Sequence, residues 1–271
     1  AKIPHIAPIT ASTGIVIPPK RYVFGFFSLR TDIGKVFIDY AVNDLRFKGK
    51  KMAYIGIDDS YGKDFYTGIN EQATNYGIKL VAVEWYKRGA VDLSTNILNL
   101  KKAGAEVVYM AALMNHAALI IKEAAKLGWK PQFMMESGGA NVKMIELAGR
   151  ENCEGIISNK SYPLIKGSKE EGIRIFKRDL KKYYPKVPAD AFSISGYMVA
   201  HVAELALKET GRNLTREGLV ETLESWKDKD TGFIPLTYGK NYRVGSNSIF
   251  FTVVKDGEFK QISGWRVPKK F

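Results

Sequence analysis

Short β-type runs alternate with helical patterns through the first 160 residues, and this alternation constrains the fold more than any other feature of the chain. Ile3–Pro8 reads as a buried strand before the turn-rich Thr10-Ala11-Ser12-Thr13-Gly14. Lys35–Arg46 carries Val36, Phe37, Tyr40, Ala41 and Leu45 on one helical stripe. Further strands are predicted at Lys51–Ile57, Leu80–Trp85, Val107–Ala111, Gln132–Met135 and Gly155–Asn159. Helices at Lys63–Tyr76, Leu93–Ala103, Ala117–Leu127 and Val142–Ala148 lie between them. Such βαβ units imply an α/β fold with a mainly parallel sheet and helices on both faces. Ligands of these sheets bind at the carboxyl ends of the strands. The candidate loops are therefore Thr10–Thr13, Asp58–Tyr61, Ala112–Met114 and Glu136–Gly139.

The texture changes after Lys160. Ser161–Lys169 resembles a linker, and Glu170–Tyr183 is a charged amphipathic helix ended by Pro185 and Pro188. Ala191–Thr210 is a long helix with Gly211 as its C-cap, and Thr215–Trp226 follows with a capped start. Ile249–Val254 and Glu258–Ile262 form a β-hairpin around Asp256-Gly257.

Composition narrows the function classes. No stretch reaches the run of about 20 apolar residues that a membrane-spanning helix needs. The net charge is +13, but basic residues stand in doublets such as Lys101-Lys102 and Lys181-Lys182. This reads as a solvated lysine-rich surface, with no nucleic acid as partner. One cysteine, Cys153, excludes an intrachain disulfide and a thiolate metal cluster. His5, His116 and His201 are far apart, so no metal or other cofactor is expected. His116 is expected to be exposed at a helix start, and His201 packed. Neither GxGxxG, GxxxxGK[ST] nor GxSxG occurs, and nothing assembles a catalytic triad or an acid–base pair. Asp58-Asp59 reads as the cap of the next helix. Tyr61 and the turn Ala11-Ser12-Thr13 remain as ligand candidates, the turn through its hydroxyls and backbone N–H groups.

IPHIAPITAST, YVFGFFSLRTDIGKVFIDYAV, KKMAYIGIDDSYGKDF, AEVVYMAALMNHAALIIKEAAKLGWKPQFM and AFSISGYMVAHVAELAL occur in this order. In these segments the chain resembles the branched-chain amino-acid-binding protein family, the type I periplasmic solute-binding proteins of ABC transporters. The resemblance implies a two-lobed fold, each lobe a mainly parallel sheet flanked by helices, closing on a ligand. The first lobe would comprise residues 1–29 and 161–245, and the second residues 30–160 and 246–271. Crossovers are expected near Leu29–Asp32, Ser158–Tyr162 and Gly245–Asn247. A family chain has several βα units before the position of Ile3. The first lobe is thus expected to be incomplete, which accounts for the missing signal peptide at Ala-Lys-Ile-Pro-His.

The family's ligand contacts are carried over singly. The alanine and threonine that hold the ligand's carboxylate and ammonium resemble Ala11 and Thr13, with Ser12 between them. The family tyrosine matches Tyr61, and the aromatic residue at the start of the long first-lobe helix matches Phe192. Two positions depart from the pattern: a ligand-contacting tyrosine aligns with Leu113, and the glutamate that pairs with the ammonium aligns with Ser137. Glu136 stands one residue earlier, on the opposite side of an extended chain. The expected function is a non-enzymatic, extracytoplasmic solute-binding protein for a small carboxylate-bearing ligand (amino acid, keto acid or aromatic acid). An ABC transporter permease would be its partner. The alternative is the ligand-sensing core of a transcriptional regulator with the same fold.

Overall fold

The computed structural model describes residues 2–212 and 214–270; Ala1 and Phe271, outer bounds of the expected lobes, lie outside them. The chain folds as two units, Ala1–Leu29 with Ser161–Asn247, and Arg30–Lys160 with Ser248–Phe271. The last division falls after Asn247, since the Ser246 N–H donates to Phe26 O at 3.1 Å and keeps that segment in the first unit.

The first unit opens with β1 (His5–Ile6), α1 (Thr13–Val16) and β2 (Val23–Phe24). The predicted strand Ile3–Pro8 shortens to His5–Ile6 because Pro4 and Pro8 have no N–H to donate and Ala7 turns to φ +50°. Its parallel partner β2 went unpredicted.

The second unit then runs through α2 (Arg30–Asn43), β3 (Met52–Ile57), α3 (Ser60–Asn75), β4 (Ala82–Tyr86), α4 (Ser94–Lys102) and β5 (Val107–Ala111). It continues with α5 (Met114–Lys126), β6 (Gln132–Met135), a 3-10 turn at Ser137–Gly139, α6 (Val142–Ala148), α7 (Arg150–Cys153) and β7 (Ile157–Lys160). Helices α2, α3 and α5 start earlier than their apolar stripes suggest. At α3 the reason is visible: Asp59 Oδ1 accepts the Tyr61 N–H at 2.8 Å, so the helix takes in Tyr61 and Gly62.

The chain returns to the first unit with α8 (Glu171–Tyr183), α9 (Ala191–Thr210), α10 (Arg216–Ser225) and the antiparallel pair β8 (Thr237–Gly239) and β9 (Tyr242–Gly245). It ends in the second unit with β10 (Phe250–Lys255) and β11 (Glu258–Gln261). Among the described residues no helix is long and apolar enough to cross a membrane.

The second unit is built on a seven-stranded sheet of order β11-β10-β7-β6-β5-β3-β4. The five strands from β7 to β4 are parallel, and β10 and β11 add antiparallel. Every residue of β3 and β5 is buried, as strands covered on both faces require. Helices α2 and α3 touch through glycines: a Cβ on Gly68 would stand 1.9 Å from Thr31 O, and one on Gly34 2.6 Å from Phe65 O.

The first unit packs Phe24, Phe176, Met198, Val202, Trp226 and Tyr238 into one core. Arg243, only 1% exposed, lies inside it. Its guanidinium stacks 4.4 Å from the Phe24 ring, pairs with Glu224, and donates to Gly239 O, Lys20 O and Arg21 O. One side chain thereby ties β2, α10 and the β8–β9 hairpin together.

Three expectations follow from this packing. Gly68→Ala forces backbone apart and should cost about 1–3 kcal/mol or more in urea denaturation. Gly196→Ala, where a Cβ meets nothing within 4 Å, should instead stabilise by about 0.5–1 kcal/mol. Arg243→Met leaves Glu224 unpaired and should cost about 3–5 kcal/mol in the same measurement.

Candidate functional site

The strand order of the second unit reverses at β3. From β3 the chain steps outward to β4, then returns to the other side of β3 as β5 and continues through β6 to β7. The connections after β3 and β5 leave the sheet in opposite directions, and sheets of this kind take their ligands in the crevice at the carboxyl ends of the two strands flanking such a reversal. Tyr61 follows β3, Leu113 follows β5, and Glu136 and Ser137 follow the adjacent β6.

Glu136 organises this crevice. Its backbone N–H still donates to Met110 O of β5 at 3.0 Å, so the strand pairing extends to it. The 3-10 turn begins at the next residue and ends the alternation of sides. Ser137 Oγ therefore donates to Glu136 Oε1 at 3.1 Å, although the extended-chain expectation set the two side chains apart. The Gly138 N–H donates to Glu136 Oε2 at 2.7 Å, and the Tyr61 phenol donates to the same oxygen. Gly138 is needed here, since a Cβ on it would stand 2.7 Å from Tyr61 Oη. Glu136 is 3% exposed.

Three residues that sequence reasoning missed complete the arrangement. The Arg30 guanidinium lies 4.4 Å from the centre of the Tyr61 ring, a cation–π contact from the first turn of α2. Asn159 Oδ1, at the carboxyl end of β7, accepts the Ser137 N–H at 3.0 Å. Lys160 Nζ donates to Ala140 O at 2.8 Å and sits over the Phe259 ring. The strand-end rule applied to Gly155–Asn159 would have found Asn159 and Lys160. Arg30 carries no such signal.

Burial, then the charge of Glu136 and the hydrogen bond to it, hold the Tyr61 phenol well above its ordinary pKa of 10, against the opposing effect of Arg30. Tyr61 is thus a donor. Burial pushes the Lys160 ammonium down to about 8, with Glu136 resisting.

The remaining candidates lie in the first unit. Ala11 is buried, Ser12 precedes α1 without a side-chain cap bond, and Thr13 is the first residue of α1. Phe192, in the first turn of α9, is 80% exposed. His116 is half-buried, not exposed as expected: its ring packs 5.0 Å from Tyr86 and burial lowers its pKa. His201 packs between Tyr197 and Phe233. Among the described residues no group of three His, Cys, Asp or Glu is placed to hold a metal ion. The crevice offers hydrogen-bond donors beside the apolar Leu113. That equipment suits binding.

A family model described as periplasmic binding protein matches residues 1–258. A Leu/Ile/Val-binding protein homolog of Brucella melitensis is 24% identical over 83% of this chain and 59% of the relative. An amino acid binding protein of Pseudomonas aeruginosa is 32% identical over 43% of this chain and 30% of its own length. The chain thus spans less than two thirds of these relatives. Among solved structures, a branched-chain amino acid ABC transporter protein of Thermus thermophilus with bound valine superposes with a TM-score of 0.86. It is 20% identical, with 98% of this chain and 72% of that one covered. A leucine binding protein of Thermotoga maritima gives 0.75 at 20% identity, covering 90% of this chain and 68% of its own. Both likenesses establish the α/β fold.

The Lys160 shift has a defined sign. In the unfolded chain Lys160 keeps its proton up to the ordinary 10.5, whereas in the fold it releases it near 8. Unfolding between those values takes up a proton, so the contribution of Lys160 to stability rises with pH across that window. Lys160→Met should therefore gain most in Tm over the wild type near pH 7, and the gain should shrink towards pH 10.5. Paired thermal melts across pH check this.

Proposed function

Because this chain belongs to the periplasmic binding protein family, we propose that it captures a small carboxylate-bearing solute outside the cytoplasm. It then presents that solute, without chemistry, to the permease of an ABC transporter. The observation that supports this most is the family match over residues 1–258, together with a donor-lined crevice where the second unit's sheet reverses order. The relatives' names point to amino acids with apolar side chains. Leu113 and the Tyr61 ring give the crevice apolar surface for such a side chain. Glu136 and Ser137 set the position of Tyr61 in this reading. For Ala11, Ser12, Thr13 and Phe192 the support is the resemblance, which assigns the solute's carboxylate to the turn at Thr13.

Calorimetric titration of the purified protein with leucine, 4-methyl-2-oxopentanoate and benzoate tests the reading, with saturable binding of at least one expected. Thr13→Val should weaken that binding about tenfold or more, since hydrogen bonds to charged groups contribute about 1.5–3 kcal/mol. No saturable heat from any of the three would overturn it.

A further inference from the structure

Among the described residues four buried side-chain nitrogens have no partner, Arg30 Nε, His116 Nδ1, Asn159 Nδ2 and Arg266 Nε, all in the second unit. Arg30 and Asn159 are the two joined to the Tyr61–Glu136 contacts. Arg30 is 9% exposed and its Nε lacks a partner; Asn159 is 0% exposed and its Nδ2 lacks one. The Asn159 amide is oriented by its neighbour: Oδ1 takes the Ser137 N–H, so Nδ2 is the free end. The two residues end one chain of contacts. Arg30 stacks on Tyr61, Tyr61 donates to Glu136, Glu136 accepts from the Ser137 hydroxyl, and the Ser137 N–H reaches Asn159. All of these groups stand at the carboxyl edge of the sheet or in the first turn of the helix over it.

Glu136, by contrast, is largely spent. A carboxylate offers about four lone-pair sites, and Tyr61, Gly138 and Ser137 occupy three of them from within the same unit. A solute ammonium arriving here would need acceptors, and would meet the Arg30 cation, with Lys160 close to Glu136 as a second one. What this edge lacks is an acceptor. Buried donors in folded proteins almost always have partners, so two orphans at a ligand crevice mark what the ligand brings.

We propose that Arg30 and Asn159 bind an oxygen-bearing end of the solute, a keto or carboxylate oxygen. Glu136 then positions Tyr61 and is not the partner of an ammonium. The site on this reading selects 2-keto acids, or other acids without an α-ammonium, over the matching α-amino acids. This rests on the chain being a solute receptor.

Leucine and 4-methyl-2-oxopentanoate share a carbon skeleton and differ in the ammonium or keto group at C2, which makes them the probes. Titrations use the wild type, Arg30→Met and Asn159→Asp. The second variant keeps an acceptor for the Ser137 N–H and removes the free donor. The keto acid should bind the wild type at least tenfold tighter than leucine. Each variant should lose about tenfold or more for the keto acid, with Asn159→Asp narrowing or reversing the preference. Arg30→Met gives up the cation–π contact with Tyr61 and Asn159→Asp buries a second carboxylate near Glu136, so thermal melts first establish that each variant is folded at the titration temperature. Equal or tighter binding of leucine by the wild type, unchanged in the variants, would overturn the donor assignment and leave the receptor reading intact. Unchanged keto-acid affinity in both folded variants would overturn it too, making both residues structural. Failure of leucine, the keto acid and benzoate alike to bind would overturn both readings.

Discussion

The buried carboxylate of Glu136 is the constraint on which the second unit's crevice depends. Removing a charge from water is costly unless hydrogen bonds replace the lost hydration. Here the replacements come from three directions: the Tyr61 phenol, the Ser137 hydroxyl and the Gly138 N–H. Each donor needs a specific piece of backbone. Tyr61 reaches Glu136 because Asp59 caps α3 one turn earlier than its apolar stripe begins. Gly138 reaches it because the 3-10 turn starts as soon as β6 ends. The carboxylate therefore fixes the ends of β3 and β6 relative to each other, and the crevice between β3 and β5 takes its lining from that.

The first unit solves the opposite problem. Its buried charge is a cation, Arg243, and the partners are carbonyls and one carboxylate. A planar guanidinium can donate in several directions while stacking on Phe24, so one residue bridges three elements. In both units a polar side chain, saturated by backbone and side-chain partners, fixes how the apolar elements meet. Arg30 and Asn159 differ because their saturation is incomplete.

The departures from the family pattern change meaning once these contacts are known. Ser137 looked like a neutral substitute for an ammonium-binding glutamate, yet its hydroxyl is engaged with Glu136. Glu136 looked like a misplaced acid, yet it supports Tyr61. Leu113 remains an apolar residue at the end of β5, partly exposed and available to a hydrocarbon side chain.

The sequence by itself determined the βα succession, the loops after β3, β5 and β6, the Asp59 cap and the closing hairpin. These rest on apolar periodicity and on side chains that bond within a few residues of themselves, so the information is local. It did not disclose the short β1–β2 pairing, where His5 meets Val23 across an irregular loop. Nor did it show that Arg243 serves Lys20 and Glu224, that Tyr61 serves Glu136, or that Arg30 and Asn159 keep unspent donors. Whether a polar atom is desolvated, and what then satisfies it, depends on residues distant in sequence that the fold lays over it. Only the tertiary structure decides that.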